Sequence, residues 1–275
     1  MRAAAFAKRN LKELLRDPLT LFFGLGFPLV LLVLMNVIQR NVPVQIFALE
    51  TLAPGIALFG LTFLALFSGL LLARDRTSAF LARLTASPMT AADFLLGYLL
   101  PLLPLAVGQS AICLGAAAAL GLPLSWNLLA VVLSLIPSAL LFTALGLLCG
   151  TLFNDKQVGG MCGAILTNAT AWLAGIWFDL PLVGGAFRRI AYALPFVHGA
   201  EGARAALAGD WAALPGHLLW VSVWAAALMA LAAWLFRWKM VEHQGESTRF
   251  FQQAAAFSGS LSRAGPCNPC PLVVQ

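Results

Sequence analysis

Charge is what this chain has least of. Lys, Arg, Asp and Glu make up 10% of its 275 residues, hydrophobic residues 61%, and mean hydropathy is +0.88. Soluble domains carry about 25% charged residues, so a water-soluble globule is excluded. Period-two alternation is missing too, which excludes a transmembrane barrel built of strands that alternate apolar and polar faces. In lipid every backbone group must be satisfied internally, and what remains is a bundle of helices. Catalytic patterns are absent: no H-E-x-x-H, no G-x-S-x-G and no pair of acids inside an apolar run. So is the phosphate-cradling loop G-x-x-x-x-G-K followed by Ser or Thr. The net charge of +6 requires no nucleic acid, because topology accounts for most of it.

What is present is a series of apolar runs of about 20 residues or more, long enough to cross a bilayer. The pattern predicts an all-α polytopic membrane protein with six transmembrane helices, over residues 1–240, followed by a polar, Ser/Gly/Pro-rich and partly disordered cytosolic tail, 241–275. Met1 to Arg16 sets Phe6, Leu11, Leu14 and Leu15 against Arg2, Lys8, Arg9, Lys12 and Arg16, as in an amphipathic helix on the inner leaflet. Asp17-Pro18 is a helix start, with Asp as cap and Pro at the first helical position. Span one runs from Pro18 to Ile38, bent at Pro28. It is too long, and lacks a following small-residue cleavage site, for a signal peptide. Span two covers Leu52 to Ala73, and span three Ala91 to Leu120, bent or broken near Pro101 and Pro104. Span four runs from Trp126 to Gly150, with Asn154-Asp155-Lys156 as a polar turn after it. Span five covers Gln157 to Phe178 and span six Gly216 to Phe236. Gly159, Gly160 and Gly163 open span five and permit close helix approach, the expected dimer-packing surface.

Basic residues orient the bundle. Arg2, Lys8, Arg9, Lys12 and Arg16 precede span one; Arg74, Arg76 and Arg83 follow span two; Lys156 follows span four; Arg237, Lys239, Arg249 and Arg263 follow span six. The other side holds Arg40, Arg188, Arg189 and Arg204. That asymmetry predicts a multi-pass protein of the cell membrane with both termini in the cytoplasm.

Two stretches break the apolar pattern. Between spans two and three, Phe80, Leu81 and Leu84 share a helical face away from Arg76, Ser78 and Arg83, and Ser87-Pro88 stops the helix. Thr90 then reads as an N-cap, with Asp93 at N3 and Met89 facing Phe94 as a staple. This is a short polar helix at a membrane surface; the plainer reading is a basic loop. After span five, Pro195 separates two short helices, one around Ile190 to Leu194 and one from His198 to Leu207. Their apolar character suits half-helices dipping into the outer leaflet, with ends buried in protein or facing a water-filled cavity. Asp179, Arg188, Arg189, Glu201 and Arg204 are either pathway groups or headgroup-level residues. Glu201 and Arg204, three apart on a helix, are expected to pair, and His198 reads as a structural hydrogen-bonding residue. Cys113, Cys149 and Cys162 lie in apolar spans as small hydrophobes. Cys267 and Cys270 form a single CxxC with no nearby His, and no metal site is expected.

Four stretches together resemble a known family: RNLKELLRDPLTLFFGLGFPL at Arg9 to Leu29, LTASPMTAADFLLG at Leu84 to Gly97, NDKQ at Asn154 to Gln157, and Trp177-Phe178 followed by Leu194-Pro195-Phe196, His198 and Arg204. In that order, with six spans, they resemble the ABC-2 type permeases, membrane subunits of ATP-binding-cassette exporters for drugs, lipid-linked polysaccharides and related amphiphiles. The resemblance covers Asn10 to Lys239. One departure lies at Arg74 to Ser78, where relatives often carry Glu followed by Gly and this chain has Asp75-Arg76-Thr77-Ser78. The resemblance implies that the helix after span two is a coupling helix seated in a nucleotide-binding subunit, contacting it through Arg76, Phe80, Leu81, Arg83, Leu84, Pro88 and Met89. It implies an outer gate at Leu194, Pro195, Phe196, His198 and Arg204. It also implies that ATP and Mg2+ belong to a separate ATPase subunit, that this chain binds no cofactor and is no enzyme itself, and that a second copy or a paralogue completes the pathway. Membrane lipids are the other expected contact, and nucleic acid is not. The rival classes are an ion-coupled carrier and a membrane-embedded lipid-modifying enzyme; the span interiors lack the charges and the catalytic sets these need.

Overall fold

A computed structural model describes residues 2–42, 47–77, 91–178 and 180–263. Helix α1 is Arg2–Arg16 and α2 is Pro18–Asn41, with a π-helical turn at Phe22–Gly26. Next come α3 (Leu49–Thr77), α4 (Ala91–Ala119), α5 (Asn127–Ser134) and α6 (Ile136–Leu152). A helical run over 155–173, here α7, contains a second π segment at Gly159–Leu166. Short helices α8 (Leu180–Val183), α9 (Gly185–Ala193) and α10 (Pro195–Ala208) precede α11 (Leu214–Arg263). Residues up to Phe236 form one packed unit, and those from Arg237 a second. No strand occurs among the described residues.

The breaks follow local chemistry. Asp17 caps α2, accepting 3.1 Å from the Leu19 amide and 3.0 Å from the Thr20 hydroxyl, with Pro18 at the first position as expected. Pro28 cannot donate to the carbonyl four residues back. The chain meets this with the wider π turn just before it, where the Phe27 amide reaches Phe22, five residues back. Pro137 sits in the first turn of α6, so span four breaks at Leu135. Pro101 and Pro104 lie inside α4, which runs on unbroken. Asn154 and Gln157 make a reciprocal capping box, 2.9 and 3.2 Å, so the expected polar turn is itself a helix start. The tail expected to be irregular is helical as far as Arg263. Its Gln252-Gln253-Ala254-Ala255-Ala256 run is strongly helix-forming and free of proline.

Among the described residues, five helices are long and apolar enough to cross a membrane: Pro18–Asn41, Leu49–Thr77, Asp93–Ala119, Asn127–Leu152 and Leu214–Trp238. Run α7, expected as span five, is not among them; Asp155, Lys156, Gln157 and Asn168 dilute its apolar character. Helix α3 is the centre of the first unit. Its apolar window is 89% buried, against 22% for α2 and 17% for α11, whose outward faces carry Val30, Leu34, Val37, Leu219, Val223 and Trp234. Phe59 and Phe63, one helical turn apart on α3, meet Phe23 and Phe27 of α2 at ring separations of 5.8 to 6.2 Å, Phe67 lies against Gly24 of α2, and Phe59 meets Trp177 at 6.0 Å.

The closest helix contact is α3 on α6. A Cβ built at Gly146 would lie 2.1 Å from the Ala65 carbonyl oxygen, and one at Gly150 2.6 Å from the Gly69 oxygen. Gly146 and Gly150 are spaced G-x-x-x-G, so two backbones touch where any side chain would separate them. Ser68 adds a hydroxyl donating to Leu64 at 2.7 Å and to the Thr143 carbonyl across the interface at 3.3 Å. Gly146→Ala should therefore lower stability by about 1–3 kcal/mol through overpacking. Gly115→Ala, where a Cβ meets nothing within 4 Å, should be neutral or slightly stabilising. Thermal unfolding of the purified variants in detergent checks the contrast; equal melting temperatures would contradict the backbone contact.

Candidate functional site

At its last turn α3 carries Asp75, 4% exposed although it ends an apolar helix. A carboxylate buried there must be paired and hydrogen-bonded. Arg9 of α1 supplies a two-pronged pair, Nη1 to Oδ2 at 2.9 Å and Nη2 to Oδ1 at 3.0 Å. Tyr98 of α4 donates its hydroxyl to Oδ2 at 2.8 Å. Burial opposes charge on Arg9, but hydrogen bonding to Asp75 and the charges of Asp75 and Glu13 hold its pKa above the usual value. Next to it Asn10, fully buried, donates to the Gly97 carbonyl at 3.0 Å. A Cβ at Gly97 would stand 2.1 Å from the Phe6 ring, so glycine is what lets α1 dock on α4. Phe6, Phe94 and Tyr98 complete the seam, with centroids 5.1 to 5.3 Å apart.

Arg76 turns the other way and donates to the carbonyls of Gly150, at 2.7 Å, and Thr151 in the last turn of α6. A guanidinium there satisfies carbonyls that have no helical partner. The residues on either side of the 78–90 segment are thus fixed: Asp75 and Arg76 on one side, Phe94 and Tyr98 on the other. Beside them a cleft of about 710 Å³ opens between α1 and α3. Lys8, Arg9, Lys12, Arg16 and Arg74 line it with the acids Glu13 and Asp17 and with the apolar Leu14, Phe67, Leu70 and Leu71, so cations outnumber acids in its wall.

The opposite end of α3 meets the short helices. Arg204 of α10 donates to the Thr51 carbonyl at 3.2 Å and to the Gly175 carbonyl at 2.7 Å. Gly175, at φ +60°, makes the turn after α7. The expected Glu201–Arg204 pair is not formed. Glu201 accepts from the Tyr192 hydroxyl and lies 3.9 Å from His217 instead, while Arg204 is engaged with the Thr51 and Gly175 carbonyls. Burial and the neighbouring Glu201 carboxylate hold the Tyr192 phenol above its usual range. Pro195 opens α10 after an extended Leu194, as its ring dictates, and Phe196 stacks on Phe142 of α6 at 5.9 Å.

Of the residues expected to contact an ATPase, Arg76 is placed, and it is engaged with α6. Phe80, Leu81, Arg83, Leu84, Pro88 and Met89 lie outside the described residues, as do Asp179, Cys267 and Cys270. Gly159 and Gly160 have no neighbour within 4 Å of a built Cβ, whereas Gly163 meets Leu66 of α3 at 3.5 Å. The residues expected at an outer gate, Leu194, Pro195, Phe196, His198 and Arg204, lie at the start of α10 and along it. Sequence reasoning missed the Arg9–Asp75–Tyr98 junction and His217, whose partners lie far off in sequence. It also missed Gly146, for which the G-x-x-x-G spacing was the available signal.

The family model for "ABC-2 type transporter" matches residues 2–208, and the chain belongs to that family. It is a multi-pass membrane protein and the permease component of an ABC transporter. No curated protein matches it significantly.

The junction yields an order of effects. Asp75→Ala leaves Arg9 and Tyr98 without their shared acceptor and should cost about 2–3 kcal/mol, a hydrogen bond to a charged group being worth about 1.5–3. Tyr98→Phe should cost about 1 kcal/mol. Glu13→Ala, removing an exposed i,i+4 pair of 3.0 Å, should change stability by under about 0.5 kcal/mol. Melting curves check the order, and a Glu13 variant as damaging as the Asp75 variant would refute it.

Proposed function

We propose that this chain is the membrane half of an exporter that moves an amphipathic or lipid-like molecule out of the cytoplasm, driven by ATP hydrolysed on a separate subunit. The observation that carries the reading is the mounting of the 78–90 segment. Before it α3 is locked to α1 through Asp75 and to α6 through Arg76, and after it α4 is tied to Asp75 through Tyr98. A push on a segment held this way reaches three helices as a rigid displacement, the form that domain and interface motions take. In this reading Phe80, Leu81 and Leu84 fill a groove of the ATPase and Arg83, Pro88 and Met89 flank it. The cleft suits an anionic headgroup with an apolar tail, since five cations against two acids line it together with Phe67, Leu70 and Leu71.

A sixth crossing by α7 belongs to the same proposal. Val158, near its start, packs on Gly69, and Ile176, just past its end, packs on Gly55. Those two glycines are separated on α3 by ~21 Å of helix at 1.5 Å per residue, most of an apolar bilayer core of about 30 Å. An even number of crossings places both termini in the cytoplasm, in line with the basic residues. Gly159 and Gly160, open in a single chain, offer the close-approach surface for a second copy or a paralogue.

The primary test is co-purification from native membranes. A soluble subunit with a phosphate-binding loop should accompany the chain, and Phe80→Ala should weaken that association by about 2 kcal/mol, the scale of a buried aromatic anchor, with unchanged membrane insertion. Reproducible absence of such a subunit would overturn the exporter reading in favour of a carrier. In a Cys-less background, a cysteine at Ser78 should label with an impermeant reagent only after permeabilisation, and Gly160→Leu should lower cross-linking between copies. External labelling at position 78, or undiminished cross-linking, would refute the topology or the interface respectively.

A further inference from the structure

His198, Glu201 and His217 bring three ligand-type atoms within 4.8 Å of one another, two from α10 and one from the first turn of α11. The His198 and His217 Nδ1 atoms are 2.9 Å apart, and His217 Nδ1 is 3.9 Å from Glu201 Oε2. A tetrahedral transition-metal ion with bonds of about 2.0–2.1 Å needs ligand atoms about 3.4 Å apart, and the two separations bracket that value.

The outer contacts are those of a metal site. His198 Nε2 lies 3.1 Å from the Tyr192 carbonyl. A carbonyl only accepts, so Nε2 carries the proton and a neutral ring presents a bare Nδ1 lone pair inward, the tautomer that a ligand histidine needs. The Tyr192 hydroxyl donates to Glu201 Oε1 and leaves Oε2 free to turn inward. Trp220 and Tyr192 flank the His198 ring, at 5.6 and 5.9 Å between centroids. The set is two imidazoles and one carboxylate with a fourth position open, a donor combination that suits Zn2+ and its neighbours in the first transition series.

We propose that His198, His217 and Glu201 bind a divalent transition-metal ion of the Zn2+ class, joining the gate helix α10 to the start of α11. The ion ties two elements that otherwise share only side-chain contacts there, so its presence sets how readily α10 moves away from α11. Binding needs neither the ATPase nor cargo, and its test stands apart from the transport reading.

The experiment is a Co2+ titration of the full chain, purified in detergent without a histidine tag. Cys267→Ser and Cys270→Ser are introduced first, so that the tail thiols do not compete. One equivalent should produce the visible d–d band of tetrahedral Co2+, and Zn2+ should abolish it. His198→Ala and His217→Ala should each weaken binding at least tenfold. Glu201→Gln, which still accepts from Tyr192 and preserves the side chain's shape, should do the same and serves if an alanine variant does not accumulate. Added Zn2+ should raise the melting temperature of the parent and not that of Glu201→Gln. A non-saturable titration, or a band and Zn2+ shift that persist in the His217 and Glu201 variants, overturns the site.

Discussion

A carboxylate buried at the end of an apolar helix has to be answered by a cation, and the Arg9–Asp75 pair is that answer. Asp75 is buried, while the Arg9 side chain remains 38% exposed. The acid therefore bears most of the desolvation and the guanidinium keeps part of its hydration. Removing charge from such a pair leaves the buried partner uncompensated, the more damaging half of any buried ion pair. What the pair specifies is geometry. An amphipathic helix lying at a membrane surface is free to slide and rotate; two parallel hydrogen bonds to a fixed carboxylate remove both freedoms. Asn10 and Gly97 then set the depth at which α1 rests on α4.

Helix α3 can play its central part because it is thin where it must be. Gly69, facing Gly146 and Gly150, lets α6 touch it backbone to backbone, and Gly55 leaves room for Ile176 and Arg204 at the far end. Lipid gives little hydrophobic reward for joining two apolar helices, so close van der Waals contact and short polar bonds such as that of Ser68 must supply it. The same helix presents Phe59, Phe63 and Phe67 to α2. One element thus carries a glycine face and an aromatic face, and its sequence shows both at helical spacing.

The all-helical class, the long apolar runs and the Asp17-Pro18 helix start were legible in the sequence because each rests on local chemistry. The short helices were legible for the same reason, since Pro195 cannot continue the helix before it. Pairings were not. Glu201 and Arg204 are correctly spaced for a bond, but spacing says nothing of the carbonyls of Thr51 and Gly175 that compete for the guanidinium. Gly159 and Gly146 look alike in a string of letters, and only the fold shows which has a helix against it. Arg76 was read as facing outward, to a partner, when the α6 terminus was a nearer acceptor.

The contacts of charged side chains divide between the two ends of α3, and that division bears on how motion crosses the bundle. At one end Asp75 and Arg76 clamp α1 and α6; at the other Arg204 holds α10 to the backbone at Thr51 and Gly175. Between them the interior is apolar and close-packed, which resists bending and transmits displacement rather than absorbing it. The two π segments are the exceptions. In α2 the wide turn precedes Pro28, and in α7 the Thr167 hydroxyl takes the Cys162 carbonyl, five residues back, at 2.9 Å. Each interrupts the regular i to i−4 ladder. Both lie on helices beside α3 rather than on it. A stiff central helix clamped at both ends, flanked by two helices with a soft turn each, lets the flanks change shape while the clamps hold.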